Sequence, residues 1–193
     1  MGMSMTGKVT RQRFSKNQWL EAGLKMLSNQ GVDKLSIGNL SRTVGVAKTS
    51  FYWHFKDRQD LLDHMLEYWV SEFNAVLTDN PDLPQLPPKQ RLQAIADTVV
   101  GQDLAKYELA IRGWASHDEA AMAVFDNIHS RRMAVIQRAF ADAAFDEQEQ
   151  KTRAELFNCY LNWGKVMNND PLSFKTTVNR LIPMLLQAPA EAD

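Results

Sequence analysis

The sequence predicts an all-α protein in which an N-terminal three-helix helix-turn-helix domain precedes a larger helical domain. Apolar residues recur at the three- and four-residue spacing of helices, and no segment alternates with the two-residue period of a strand. Of the 193 residues, 45% are hydrophobic, which is sufficient for a sizeable core. The predicted segments are a mobile basic arm at 1–14, the helix-turn-helix domain at 15–56, a second helical domain at 57–188 and a tail at 189–193.

The first helix is predicted from a set of start and stop signals. Ser15 and Gln18 have the spacing of a capping box, in which each side chain bonds the backbone N–H of the other residue. Phe14 and Trp19 flank that box and are expected to pack against each other. Gly31 follows the apolar stripe and is expected to end the helix in a left-handed conformation.

The segment 36–56, which reads SIGNLSRTVGVAKTSFYWHFK, indicates two short helices joined by a sharp turn at Gly45. Phe51 and Phe55 are four residues apart, so both can face the core. Polar and aromatic donors fill the rest of the second short helix and its end, and we expect them to face a nucleic-acid groove: Lys48, Thr49, Ser50, Tyr52, Trp53, His54 and Lys56. The alternative is a plain three-helix bundle in which Tyr52 and Trp53 are core residues.

The run Tyr52-Trp53-His54-Phe55-Lys56 resembles the end of the helix-turn-helix in the TetR family of bacterial repressors, and the resemblance extends from Phe14 to about Leu77. It implies that the donors named above, from Lys48 to Lys56, lie at DNA-contacting positions. It also implies that Phe51 and Phe55 lie in the core. Thr49 stands where Gly or Pro is frequent in the family, so the preferred bases do not follow from the resemblance.

Charge is distributed unevenly along the chain, although the net charge is only −1. Residues 1–61 hold ten Lys or Arg and four Asp or Glu, whereas the remainder holds 12 and 19, so the two parts carry +6 and −7. A basic end can neutralise phosphates, and an acidic body keeps the rest of the protein off DNA.

Asp57 is placed to cap a fourth helix, whose wide apolar surface reaches Leu77. So wide a surface needs partners on two sides, and we expect this helix to link the two domains. Further helices are expected at 89–100, 103–115 and 116–144, with Ser116 and Glu119 as a capping box for the last.

The last two helices, after residue 145, are apolar on much of their circumference. Pairs of such helices form the dimer interface in TetR-like proteins, so the resemblance implies a homodimer, with Gly164 expected at the contact between subunits. The alternative is a pair of helices that lies entirely inside one subunit.

The resemblance also implies that the second domain binds a small-molecule effector. Mostly aromatic side chains are expected to line that site, namely Trp69, Phe73, Tyr107, Trp114, His117 and Phe157. A filled core would give the same pattern in the sequence.

No catalytic constellation or cofactor motif is evident. Consecutive residues at a helix start, such as 116–118 (Ser-His-Asp), point in different directions and do not form a triad. Asp60, His64 and Glu67 could share a helix face, but a solvated polar face explains them better than a metal site. The lone Cys159 excludes an internal disulfide, as expected in a reducing cytoplasm, and no apolar run has membrane-spanning length.

We therefore expect a cytoplasmic, non-catalytic repressor without cofactor or metal, which binds a palindromic double-stranded DNA operator as a homodimer. The alternative is a helical small-molecule binding protein whose DNA-binding end is vestigial. Salt-sensitive binding of duplex DNA distinguishes the two.

Overall fold

The structure, a computed structural model, describes residues 14–73, 77, 79–167 and 170–188. Apart from Phe14, the predicted basic arm lies outside these residues, as does the predicted tail. The described part of the chain forms α-helices, three short 3-10 helices and no strand, which confirms the all-α prediction. None of the described helices combines the length and apolar character needed to cross a membrane.

Nine α-helices follow one another along the described residues. They are α1 (Lys16–Gln30), α2 (Ile37–Val44), α3 (Lys48–Phe51), α4 (Arg58–Phe73), α5 (Pro88–Gly101), α6 (Glu108–Ala115), α7 (Glu119–Asp142), α8 (Glu147–Met167) and α9 (Pro171–Leu185). The 3-10 helices are Val32–Lys34, Leu83–Gln85 and Leu104–Tyr107.

Local signals account for the start of α1. The Gln18 amide N–H donates to Ser15 Oγ at 3.2 Å, and the Ser15 N–H donates to Gln18 Oε1 at 2.8 Å, which confirms the capping box. The rings of Phe14 and Trp19 meet edge to face at 5.1 Å. Gly31 ends α1 with φ 78° and ψ 168°, so the predicted left-handed conformation is correct in φ and wrong in ψ.

The start of α7 differs from the prediction. Asp118, not Ser116, is the N-cap, because its carboxylate accepts the Ala121 N–H at 3.0 Å. The Ser116 hydroxyl instead donates back to the Gly113 carbonyl at 2.7 Å. Asp118 also accepts the indole N–H of Trp114 at 3.1 Å, a tertiary bond that favours this residue as the cap.

Two hydrophobic clusters form the interior. The first joins α1–α4 to α6 and the first half of α7, and it includes Trp19, Phe51, Trp69 and Trp114. The second joins α5, the second half of α7, α8 and α9 around Phe140 and other buried side chains. Because α4 contributes Leu61 to Trp69 to the first cluster, it packs against α1–α3 on one side and against α6 and the first half of α7 on the other, as its wide apolar surface predicts.

Gly164 lies where α8 and α9 of the same subunit pack closely together. A Cβ atom at this position would lie 2.5 Å from Cε2 of Phe174 and 3.0 Å from Cε1 of Tyr160. The expectation that Gly164 lies at a contact between subunits is therefore wrong, because the space that a side chain would need is filled by the neighbouring helix of its own chain.

Other apolar side chains of α8 and α9 remain exposed in the single chain. Leu156 and Trp163 on α8 are 54% and 49% exposed, and Leu172 and Met184 on α9 are 74% and 63% exposed. The buried residues of the same helices, such as Phe157, face the second cluster. Each helix thus has one covered apolar face and further apolar side chains that nothing in the described chain covers.

Candidate nucleic-acid interface and effector cleft

The helix-turn-helix geometry follows from a cap and a glycine. Ser36 Oγ caps α2 by accepting the Asn39 N–H at 3.2 Å. Gly45 then takes a left-handed conformation, with φ 69° and ψ 25°, which turns the chain into α3. The Val46 N–H closes the turn by donating to the Ser41 carbonyl at 3.0 Å. The prediction of a sharp turn at Gly45 is confirmed.

Phe51 and Phe55 anchor α3 and the turn that follows it. Phe51 is fully buried and Phe55 is 2% exposed, and their ring centroids lie 5.1 Å apart. Phe51 also meets Trp19 of α1 edge to face at 5.6 Å. With the two phenylalanine rings filling the core, the neighbouring aromatic residues point outward.

Tyr52 and Trp53 are 58% and 72% exposed, so they are not core residues. Lys48, Thr49 and Lys56 are exposed around them. This exposure contradicts the alternative in which the two aromatic side chains belong to a plain helical bundle. The surface formed by these five residues is called the reading face below.

Ser50 and His54 are half-buried rather than exposed. The His54 Nε2 lies 2.9 Å from the Phe14 carbonyl oxygen, a hydrogen bond that ties the turn after α3 to the start of α1. One imidazole nitrogen is therefore engaged within the protein. Contact of either side chain with DNA stays a prediction.

Arg58 makes two hydrogen bonds to the backbone that the sequence does not predict. Its Nε donates to the Leu35 carbonyl at 2.6 Å, and its Nη2 donates to the Val32 carbonyl at 2.8 Å. In the sequence, Arg58 counted only toward the positive charge of the N-terminal part. Its two acceptors are backbone atoms more than twenty residues earlier, and no local pattern signals such a pair.

The six residues predicted to bind an effector lie in different environments. Trp69, Tyr107 and Trp114 are buried in the first cluster, Phe157 is buried in the second, and His117 is exposed. Phe73 ends α4, and its side chain lies outside the description. The five placed side chains line neither of the two cavities described next, so their role in binding stays a prediction.

An open cleft of about 470 Å³ lies between α6, α7 and α8. Acidic, basic and aromatic side chains line it, among them Glu108, Arg112, Phe125, His129, Glu155 and Trp163. The Phe125 ring stacks with Trp69, at 6.1 Å, and with His129, at 6.2 Å. The ring of Phe125 therefore connects the cleft to Trp69, which is one of the residues predicted to bind the effector.

A smaller cavity of about 20 Å³ lies behind the cleft, between α5, α7 and α8. Asn158 and Asn162 line both spaces. Glu108 lines the cleft and Arg132 lines the inner cavity, and their side chains form an ion pair at 2.6 Å with both partners more than 90% buried. This pair is a buried polar element at the boundary between the cleft and the inner cavity.

Comparison with known proteins places these observations in a family. The model of a family described as "Bacterial regulatory proteins, tetR family" matches residues 20–65, from within α1 to within α4. The HTH-type transcriptional regulator BetI of Escherichia coli O17:K52:H18 (strain UMN026 / ExPEC) is 30% identical over 133 residues, which cover 65% of this chain and 67% of BetI. The chain belongs to the TetR family. The HTH-type transcriptional regulator AcrR of Shigella flexneri is 40% identical over 55 residues, but the match covers only 28% of this chain and 25% of AcrR.

The chain also shares its fold with solved structures of transcriptional regulators. The structure of the transcriptional regulator FadR of Bacillus subtilis, solved with stearoyl-CoA, superposes with a TM-score of 0.65 over 89% of this chain and 98% of FadR. At 14% sequence identity this likeness shows the fold alone. The chain is a TetR-family transcriptional regulator, and the relatives it matches are regulators rather than members of an enzyme family.

Proposed function

We propose that this TetR-family regulator is a repressor that binds a palindromic double-stranded DNA operator as a homodimer and is released by a small-molecule effector. The exposure of Tyr52 and Trp53, at 58% and 72%, carries the DNA-binding part of the proposal. Two large aromatic side chains held in water beside two lysines form the kind of surface that marks an interaction site. The charge of +6 over residues 1–61 gives that site the sign that DNA phosphates require.

Within the reading face, we assign phosphate contacts and base contacts to different residues according to their side-chain chemistry. We assign Lys48 and Lys56 to phosphates, because an ammonium group is a point charge that needs no defined base edge. Thr49 on α3 and Tyr52 at its C-cap are both exposed and are assigned nearer the bases, which hydroxyl groups can contact as donor or acceptor. Trp53 is assigned to the sugar-phosphate backbone at the edge of the groove.

The exposed apolar side chains of α8 and α9 support the homodimer. Leu156, Trp163, Leu172 and Met184 are each about half exposed or more in the single chain. A second copy that covers them removes this apolar surface from water, and a two-fold axis through such a contact makes the interface self-complementary. Two reading faces related by that axis would match the two halves of a palindromic operator.

The cleft between α6, α7 and α8 supports the effector part of the proposal. Its volume of about 470 Å³ lies in the range of sites that hold small ligands. Its wall includes Phe125, which stacks on the buried Trp69 of α4. An effector in the cleft can therefore displace α4 through these two rings, and α4 begins directly after the reading face.

Equilibrium binding to duplex DNA at several salt concentrations tests the central claim. The probe is DNA enriched from a random-sequence duplex pool by the wild-type protein. Lys56→Ala should weaken binding and reduce the slope of log affinity against log salt by about one unit. Lys89→Ala is the matched control, because Lys89 is an exposed lysine on α5 in the acidic part of the chain, and it should leave the slope unchanged. A wild-type protein that enriches no duplex and shows no salt-sensitive binding would favour the alternative of a small-molecule binding protein.

Linkage tests release by an effector. A compound that lowers operator affinity by a given factor must bind the free protein more tightly than the DNA-bound protein by the same factor. Compounds from a chemically diverse panel can be ranked by their effect on operator binding and then titrated by calorimetry with and without operator. Equal affinity in both titrations would reject release by that compound.

A further inference from the structure

The side chain of Arg58 joins the start of α4 to the connection between α1 and α2. Its two donor bonds, at 2.6 Å to the Leu35 carbonyl and 2.8 Å to the Val32 carbonyl, use two nitrogen atoms of one rigid guanidinium group. The Leu35 side chain is fully buried, and Val32 packs against the first cluster. The arginine therefore grips a piece of backbone whose own position is fixed by the core.

The gripped backbone leads directly into the first helix of the helix-turn-helix. Leu35 is followed by Ser36, whose hydroxyl caps α2 at the Asn39 N–H. The Asn39 side chain also donates to the Lys34 carbonyl at 2.9 Å. The start of α2 is thus held by its own cap and by Arg58. Because the turn at Gly45 joins α2 directly to α3, the orientation of α2 also determines that of α3.

The chemistry of the contact distinguishes Arg58 from its basic neighbours. Lys48 and Lys56 are exposed, whereas Arg58 is half-buried with its Nε and Nη2 already engaged by carbonyl oxygens. Two parallel donor bonds from a planar group define an orientation, and a lysine ammonium cannot reproduce them. A phosphate would be left with the remaining N–H donors of a guanidinium group whose position the two carbonyls already fix.

We infer that Arg58 is a positioning residue for DNA binding: it clamps the connection between α1 and α2 onto the start of α4, and so fixes the direction of α3, instead of neutralising a phosphate. This inference rests on the proposed DNA binding. It assigns a basic residue next to the reading face to the scaffold and removes it from the set of charges that contact DNA.

Two substitutions of Arg58 in the full-length protein separate the roles. Arg58→Lys keeps the positive charge and loses the paired geometry, and Arg58→Gln removes the charge. For a positioning residue, both variants should bind the enriched duplex about tenfold more weakly, the factor for losing one hydrogen bond to a charged group, with the salt slope of the wild type. Lys56→Ala, measured in parallel, gives the reduced slope that a lost phosphate contact produces.

Amide hydrogen exchange without DNA provides a second measurement. In Arg58→Lys, the amides at the start of α2, such as Asn39 and Leu40, should exchange faster, while those of α8 keep their wild-type rates. Unchanged exchange in α2, or faster exchange throughout the chain, contradicts a local clamp.

The inference is overturned if Arg58→Lys keeps the wild-type affinity while Arg58→Gln lowers the salt slope by about one unit, since that is the behaviour of a residue that binds a phosphate. In that case the proposed function stands. A wild-type protein without salt-sensitive DNA binding rejects both the inference and the proposed function.

Discussion

The close packing of α8 against α9 gives a quantitative prediction for Gly164→Ala. The new Cβ would lie 2.5 Å from Phe174 Cε2, about 1 Å inside ordinary carbon–carbon contact. Phe174 is 4% exposed, so its ring cannot swing aside into solvent. Overpacking of this kind costs about 1–3 kcal/mol of unfolding free energy. Gly113→Ala is the matched control, because Gly113 is also helical and a Cβ there meets nothing within 4 Å.

Both substitutions replace a helical glycine by alanine, so both gain about 0.5–1 kcal/mol from helix propensity, and this gain cancels when they are compared. At 2–4 °C per kcal/mol for a chain of this size, a 2 kcal/mol difference places the Tm of Gly164→Ala about 4–8 °C below that of Gly113→Ala. Thermal unfolding followed by circular dichroism, at one protein concentration for both variants, measures the difference. If Gly164→Ala unfolds at the same or a higher temperature than Gly113→Ala, α8 and α9 do not approach each other as described.

Three further predictions concern buried or capped polar groups. Arg132→Met should lower the free energy of unfolding, measured in urea, by about 3–5 kcal/mol, because it leaves the Glu108 carboxylate buried without its partner. Adding Glu108→Leu to the same chain should recover most of the loss, whereas a small effect of Arg132→Met alone would contradict burial of the pair. In the same assay, Asp118→Ala should lower the free energy of unfolding by about 0.5–2 kcal/mol and Ser116→Ala should leave it almost unchanged. A larger loss for Ser116→Ala than for Asp118→Ala would identify Ser116 as the cap. The Ala121 N–H lowers the pKa of Asp118, so the stabilisation from Asp118 should be lost only as the pH falls through that lowered pKa. Burial, and next its hydrogen bond to Glu21, raises the pKa of Tyr68 to about 12. The stabilisation from the Tyr68 hydroxyl should therefore be complete below pH 10 and lost as the pH rises toward 12. Tyr68→Phe should remove a step near pH 12 from the tyrosinate absorbance titration, and an unchanged titration would refute this.

The features that the sequence predicts well depend on neighbours in the chain. The capping box at Ser15 and the left-handed turn at Gly45 involve residues at most a few positions apart, and the fold keeps them. The outward direction of Tyr52 and Trp53 also follows from neighbouring residues, since Phe51 and Phe55, four positions apart, take the buried side.

The features that the sequence misses depend on distant partners. Ser116 and Asp118 are both good caps by residue type, and the indole of Trp114 favours Asp118. The carbonyl partners of Arg58 are 23 and 26 residues away. Aromatic residues such as Trp69 have the same pattern whether they line a cavity or fill a core, so only tertiary packing shows that Trp69 is fully buried.

The first hydrophobic cluster has a consequence for building hybrid regulators. Tyr107, Trp114 and Phe125 belong to the same cluster as Trp19 and the other buried residues of the DNA-binding helices. A graft that joins residues 1–56 to the sensor of another family member would strip those helices of the rings they pack against. A functional exchange is therefore expected to carry α4, α6 and the first half of α7 along with the reading face, so the proposed DNA-contacting surface and part of the proposed effector cleft would move together.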